Sequence, residues 1–206
     1  QPGRSNMANI YEFIDGTRKG MEIGLTQSGN SNSANVVSDF GTSGVMNLNQ
    51  SGHNNALNVY TTHSNEASFE VKQWGNWNDA SINMKGQSDS SIIHQGGDSN
   101  FARIDKDGTR RSETTIGQYG DYNYANIYQS DMMAGGSTAA KADIYQSGDR
   151  NKAWINQVAS YDASGYINQS GNNNKAKIVQ NSLNAVEASI TQSGNNNTTK
   201  VFQEFK

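Results

Sequence analysis

One short phrase recurs along this chain with little change. QSGNNNKAKIVQ (169–180) and QSGNNNTTKVFQ (192–203) are near copies, 23 residues apart. The same frame starts at Gln1, Gln27, Gln50, Gln73, Gln95, Gln118, Gln146, Gln169 and Gln192, with spacings of 26, 23, 23, 22, 23, 28, 23 and 23 residues. Counting that Gln as zero, offset +2 is always glycine: Gly3, Gly29, Gly52, Gly75, Gly97, Gly120, Gly148, Gly171 and Gly194. Offset +5 is always asparagine: Asn6, Asn32, Asn55, Asn78, Asn100, Asn123, Asn151, Asn174 and Asn197. Offset +9 is Ile10, Val36, Val59, Ile82, Ile104, Ile127, Ile155, Ile178 or Val201, and offset +7 is Ala in all but Leu57 and Thr199. A fixed period of this length marks a repeat architecture, in which each copy buries its inner face only by packing on its neighbours.

The spacing inside the frame is two. Offsets +5, +7, +9 and +11 share one face of an extended chain, and an apolar residue two before most anchors (Leu25, Leu48, Val71, Ile93, Ile116, Ile144, Ile167, Ile190) extends the pattern. Each copy therefore reads as strand, tight glycine turn, strand. A two-strand unit does not bury that face alone. Stacking the nine copies in register pairs each strand in parallel with its equivalent, predicting an all-β solenoid about 43 Å long at ~4.8 Å per layer. Inward amides then form ladders: the anchor Gln, the Asn at +5, and the closing Gln129, Gln157, Gln180 and Gln203 at +11. The turn glycines and the Ile/Val column complete the expected site.

Composition narrows the alternatives. The chain has 206 residues, 33% of them hydrophobic, with 28 Asn, 14 Gln, 24 Ser and 21 Gly. On that composition a conventional packed core of Leu, Val and Phe is expected to be excluded. A net charge of -3 with 17% charged residues argues against a basic nucleic-acid binder. The absence of cysteine removes disulfides, thiolate metal sites and a cysteine nucleophile. No apolar run approaches the ~20 residues of a membrane span, and the opening QPGRSNMANIYEF does not read as a signal peptide. The long spacings place excursion loops at 14–20 and 130–140, between strands, with no domain boundary from 1 to 206.

Sharper sites are weak. His53, His63 and His94 share no frame position, and no metal or other cofactor is expected. Asp98, Asp121 and Asp149 recur after the turn Gly, where Asn30, Asn76, Asn172 and Asn195 stand in other copies, which favours turn chemistry over a cation. Trp74, Trp77, Tyr119, Tyr122 and Tyr124 gather near turns, and offset +10 carries Tyr11, Val37, Tyr60, Tyr128, Val179 and Phe202 outward. That outer stripe favours lateral bundling of rods. Acidic residues are scattered, so an enzyme is not expected.

Gln-x4-Asn-x5-Gln, with Gly after the first Gln and Ala after Asn, resembles the curlin repeat of bacterial curli fibres. The best matches are Gln118/Asn123/Gln129, Gln146/Asn151/Gln157, Gln169/Asn174/Gln180 and Gln192/Asn197/Gln203. The resemblance implies a secreted, extracellular functional amyloid of the cell surface and biofilm matrix. It also implies nucleated polymerisation and secretion through an outer-membrane pore with accessory proteins. Three features depart from the family pattern. The Ser six residues before the anchor occurs once, as Ser112. A second Gly at +4 is missing throughout, replaced by residues such as Ser31, Trp77, Tyr122 and Asn173. The closing Gln gives way to Glu12, Ser38, Thr61, Met84 or Lys106 in five copies.

Uncapped ends point to a rod that stacks on itself, head to tail, into an open filament. The expected function is thus a structural fibre subunit for matrix and adhesion, whose partners are itself, a nucleator and secretion proteins, with no nucleic acid and no membrane span. A minor nucleating subunit and a monomeric ligand-binding solenoid are the alternatives.

Overall fold

The structure, a computed structural model, describes residues 4–12, 21–38, 42–61, 65–85, 90–108, 111–130, 140–158, 162–181 and 185–204. These residues form strands and connections with no helix. The strands are β1 (Met7–Glu12), β2 (Met21–Asn30), β3 (Ser33–Ser38), β4 (Thr42–His53), β5 (Ala56–Thr61), β6 (Asn65–Asn76), β7 (Asp79–Met84), β8 (Ser90–Gly96) and β9 (Phe101–Asp107). They continue as β10 (Glu113–Tyr119), β11 (Tyr124–Ser130), β12 (Lys141–Ser147), β13 (Lys152–Val158), β14 (Ser164–Ser170), β15 (Lys175–Asn181), β16 (Glu187–Ser193) and β17 (Thr198–Glu204). The odd strands make one nine-stranded sheet and the even strands an eight-stranded sheet, each in unbroken chain order. All pairings are parallel, and register partners are frame equivalents: Gln118 pairs with Gln95 and Gln146, Ile127 with Ile104 and Ile155.

The molecule is therefore an all-β solenoid with about 23 residues per coil, as the period predicts. The odd strands are the post-turn halves of all nine copies. The even strands are the pre-turn halves of eight, Gln1 and Gly3 lying outside the described residues. Loop segments 14–20 and 131–139 also lie outside them, as do His63 and several shorter connections; β1 and β11 end before the two longer loops, and β2 and β12 begin after them.

The turn between sheets has a two-part cause. The offset +2 glycines sit at φ near 100°, from 92° at Gly29 to 109° at Gly120. A Cβ at Gly171 would overlap the carbonyl oxygen of Gly194 in the next coil, so glycine is required there twice over, by angle and by space. Two residues on, the chain passes through the left-handed region at φ 56–61°, as at Asn54, Trp77, Tyr122 and Asn173. L-residues reach that region at a modest penalty. The +4 site therefore needs no glycine, which accounts for its absence from this chain.

Between the sheets lies one continuous apolar cluster. It includes Val36, Leu48, Val59, Val71, Ile82, Ile93, Ile104, Ile116, Ile127, Ile144, Ile155, Ile167 and Ile178, all essentially without solvent contact. This corrects the expectation that the composition excludes a core of Leu, Val and Phe: low hydrophobic content still supplies a branched aliphatic column on each sheet, with an alanine column beside it on the odd one. A further core column at offset −4 was not anticipated. It contains Met46 and Phe69, among the largest fully buried side chains, and then the small residues Ser91, Thr114, Ala142, Gly165 and Ala188.

Candidate functional site: the amide columns

The anchor Gln of each described coil is buried from Gln27 to Gln192. Each Nε2 donates to Oε1 of the next coil: Gln27 to Gln50, Gln50 to Gln73, Gln73 to Gln95, Gln95 to Gln118, Gln118 to Gln146, Gln146 to Gln169 and Gln169 to Gln192, at 2.8–3.0 Å. The second proton of Nε2 goes to a backbone carbonyl, as from Gln118 to Phe101 at 3.0 Å and from Gln169 to Lys152 at 3.2 Å. A primary amide has two donors and one acceptor atom, so this arrangement employs all of them away from water.

The asparagines work differently from the expected side-chain-to-side-chain ladder. Each Oδ1 accepts the backbone N–H of the next Asn: Asn32 to Asn6, Asn123 to Asn100, Asn151 to Asn123 and Asn197 to Asn174, all at 3.0 Å. Each Nδ2 donates to the next coil's turn glycine carbonyl, from Asn6 to Gly29 at 3.0 Å through Asn123 to Gly148 and Asn174 to Gly194 at 2.7 Å. The Asn is thus a clamp on the backbone of the following turn, and the short amide is what fits between a strand start and a turn. Direct Asn–Asn side-chain contacts, such as Asn55 Nδ2 to Asn32 Oδ1 at 3.1 Å, are additional.

A third column runs along the turn edge at offset +3. Oδ1 of Asp98, Asp121, Asp149, Asn172 and Asn195 accepts, respectively, the N–H of Asn76, Asp98, Asp121, Asp149 and Asn172 at 2.7–2.9 Å. These carboxylates and amides tie coil to coil. Among the described residues no group of three or more His, Asp or Glu is placed to hold a metal ion.

At offset +11 the column changes character midway. Gln129, Gln157, Gln180 and Gln203 form a ladder at 2.6–2.9 Å. Before them stand the buried Ser38, Thr61, Met84 and Lys106. Lys106 points inward rather than into water: it is 2% exposed, and its Nζ donates to the carbonyls of Ser90 and Ser112, both at 3.1 Å. Gln180 Nε2 donates to the equivalent carbonyls, Ser164 and Val186, at 3.2 Å. The lysine therefore reaches the backbone carbonyls that an amide would but gives no donor to the next coil, and Gln129 Oε1, facing it across the register, is buried with no partner.

The expected aromatic group separates into different places. Trp74 meets Tyr119 (ring centroids 5.9 Å) on the outer face of the even sheet, while Tyr124 stacks on Phe101 (4.9 Å) on the odd sheet. Trp77 and Tyr122 are exposed on the turn, the latter beneath Arg150. His53 is exposed, and His94 bonds Glu70 at 2.6 Å, so the histidines converge nowhere among the described residues. Offset +10 faces outward, with Tyr60, Tyr128 and Phe202 exposed.

Parallel in-register coils, with amide columns beside an apolar one, define a β-solenoid of repeated strand-turn-strand units. Against known families, a model described as curlin associated repeat matches residues 138–181, the stretch that carries β12 to β15. That match supports a curlin-family assignment for the chain. No curated protein matches it in sequence.

Proposed function

We propose that this protein is a structural, non-enzymatic subunit of an extracellular curli-like fibre, growing by head-to-tail stacking of solenoids for matrix and adhesion. The observation that carries this reading is the constancy of the anchor-Gln and Asn columns. Each anchor Gln from Gln27 to Gln169 donates forward to the next coil, and each Asn from Asn6 to Asn174 clamps the turn ahead of it, a set of donors and acceptors that a further coil could extend. Nothing in that geometry distinguishes a coil of the same chain from a coil of a second copy. The partner is accordingly itself, with a nucleator and secretion proteins as the family resemblance implies.

The test dilutes denatured chain into buffer and follows growth by electron microscopy, with and without preformed seeds. Unbranched filaments with a seed-shortened lag are expected; persistent short rods overturn the reading. Asn123→Asp keeps the acceptor for Asn151 N–H but loses the donor to Gly148 and introduces a buried charge. It is expected to slow growth and to lower subunit stability by about 2–3 kcal/mol.

A further inference from the structure

The outer face of the odd sheet carries an uncompensated positive patch. In register, Lys152 lies beside Lys175, Trp154 beside Lys177, and Lys177 beside Lys200. Like charges directly opposite on neighbouring strands repel. Several basic side chains elsewhere are answered: Glu70 holds Lys72 at 2.7 Å and His94 at 2.6 Å, Arg103 holds Asp105 at 2.7 Å, and Lys141 lies 3.6 Å from Asp143. Among the described residues no carboxylate lies within ion-pair distance of Lys152, Lys175, Lys177 or Lys200. Trp154, Lys175, Lys177 and Lys200 line a groove of about 260 Å³, and Lys175 Nζ stands 5.7 Å from the indole centroid. Four ammonium groups gathered on a chain of net charge -3 form a site that lacks its counter-anion.

We propose that this face binds a linear polyuronate, an acidic polysaccharide with one carboxylate per sugar ring. The charges step along the axis by one coil, ~4.8 Å, and a hexuronate advances its carboxylate by a comparable distance. Duplex nucleic acid is far denser, with a charge every ~1.7 Å of axis. Single-stranded nucleic acid needs open aromatic faces for successive bases. Here Phe101 stacks on Tyr124 at 4.9 Å, Trp154 meets Tyr124 at 5.4 Å with its ring tilted by 41°, and Lys175 lies over the indole. What remains of Trp154 is an apolar flank fit for the C–H face of one pyranose, with the ammonium groups of Lys177 and Lys200 following it in register for the carboxylates of the next rings. The assignment concerns the face of one subunit and does not depend on fibre growth.

The experiment measures binding of an oligogalacturonate, its methyl ester and an oligodeoxythymidylate of equal charge to the purified chain. Binding of the free acid, weakening as salt rises, with none to the ester and weaker binding of the oligonucleotide, is expected. The double variant Lys177→Gln/Lys200→Gln loses at least about tenfold in affinity, whereas Lys72→Gln on the other sheet does not. Because the double variant also relieves the opposed charges, its melting temperature without saccharide rises, which separates lost binding from lost folding. Undiminished binding by the double variant, equal binding of the ester, or tighter binding of the oligonucleotide overturns the proposal.

Discussion

At the scale of single residues, the turn separates two demands that a sequence pattern alone blends. Offset +2 needs glycine because of both φ and the next coil's carbonyl, whereas offset +4 needs only a left-handed angle. Gly171→Ala should therefore lower stability by at least about 3 kcal/mol. Trp77→Gly should shift it by less than about 1 kcal/mol, since relief of the αL penalty offsets the added chain entropy. Urea unfolding of the two variants checks the contrast. The invariant glycine was legible from its nine occurrences. The missing second glycine read as a departure from the family, because a sequence does not report that the backbone there tolerates Trp or Tyr.

Among elements, the level joining offsets −4 and +11 shows why part of the interior was hidden. Ser91 Oγ reaches Met84 Sδ across the sheets at 3.5 Å, and a Cβ on Gly165 would stand 3.3 Å from both Gln157 Nε2 and Gln180 Oε1. With each closing residue facing the −4 residue of the next coil, as Met84 faces Ser91, the large Met84, Lys106, Gln129, Gln157 and Gln180 meet the small Ser91, Thr114, Ala142, Gly165 and Ala188, and the small Ser38 and Thr61 meet Met46 and Phe69. Volume is conserved between two positions rather than at either, so neither repeats and neither stands out by period. Columns whose volume is fixed at one position, the anchor Gln and the Ile/Val, were plain from the spacing. Lys106 sits directly before the amide ladder. Lys106→Gln supplies the donor that Gln129 Oε1 lacks and continues the amide ladder, so its thermal midpoint should exceed that of the parent, by about 1–2 kcal/mol in stability.

Over the whole molecule, the two sheets differ in surface chemistry although they share one core. On the even sheet, hydrogen bonds from Lys72 and then His94 hold the Glu70 carboxyl below the usual carboxylate range. A depressed folded-state pKa stabilises above the ordinary carboxylate range and is lost as pH falls through the folded value. The stability advantage of the parent over Glu70→Gln should thus be present at neutral pH and vanish on strong acidification, as melting temperatures across pH will report. The charge asymmetry between the sheets escaped a reading based on net charge, because the balance appears only once the register places Lys177 beside Lys200.

The direction of the amide columns has a consequence for error. Each Nε2 is bound both to the Gln ahead and to a fixed backbone carbonyl, so no single amide can turn over without stranding a donor against a donor. A coil presented upside down meets nitrogen with nitrogen at the Gln and finds no glycine carbonyl for the Asn ahead of it. The interior of this protein thereby encodes one orientation at every layer, and in the end-to-end stacking proposed above a reversed copy would fail to pair at the first layer it met.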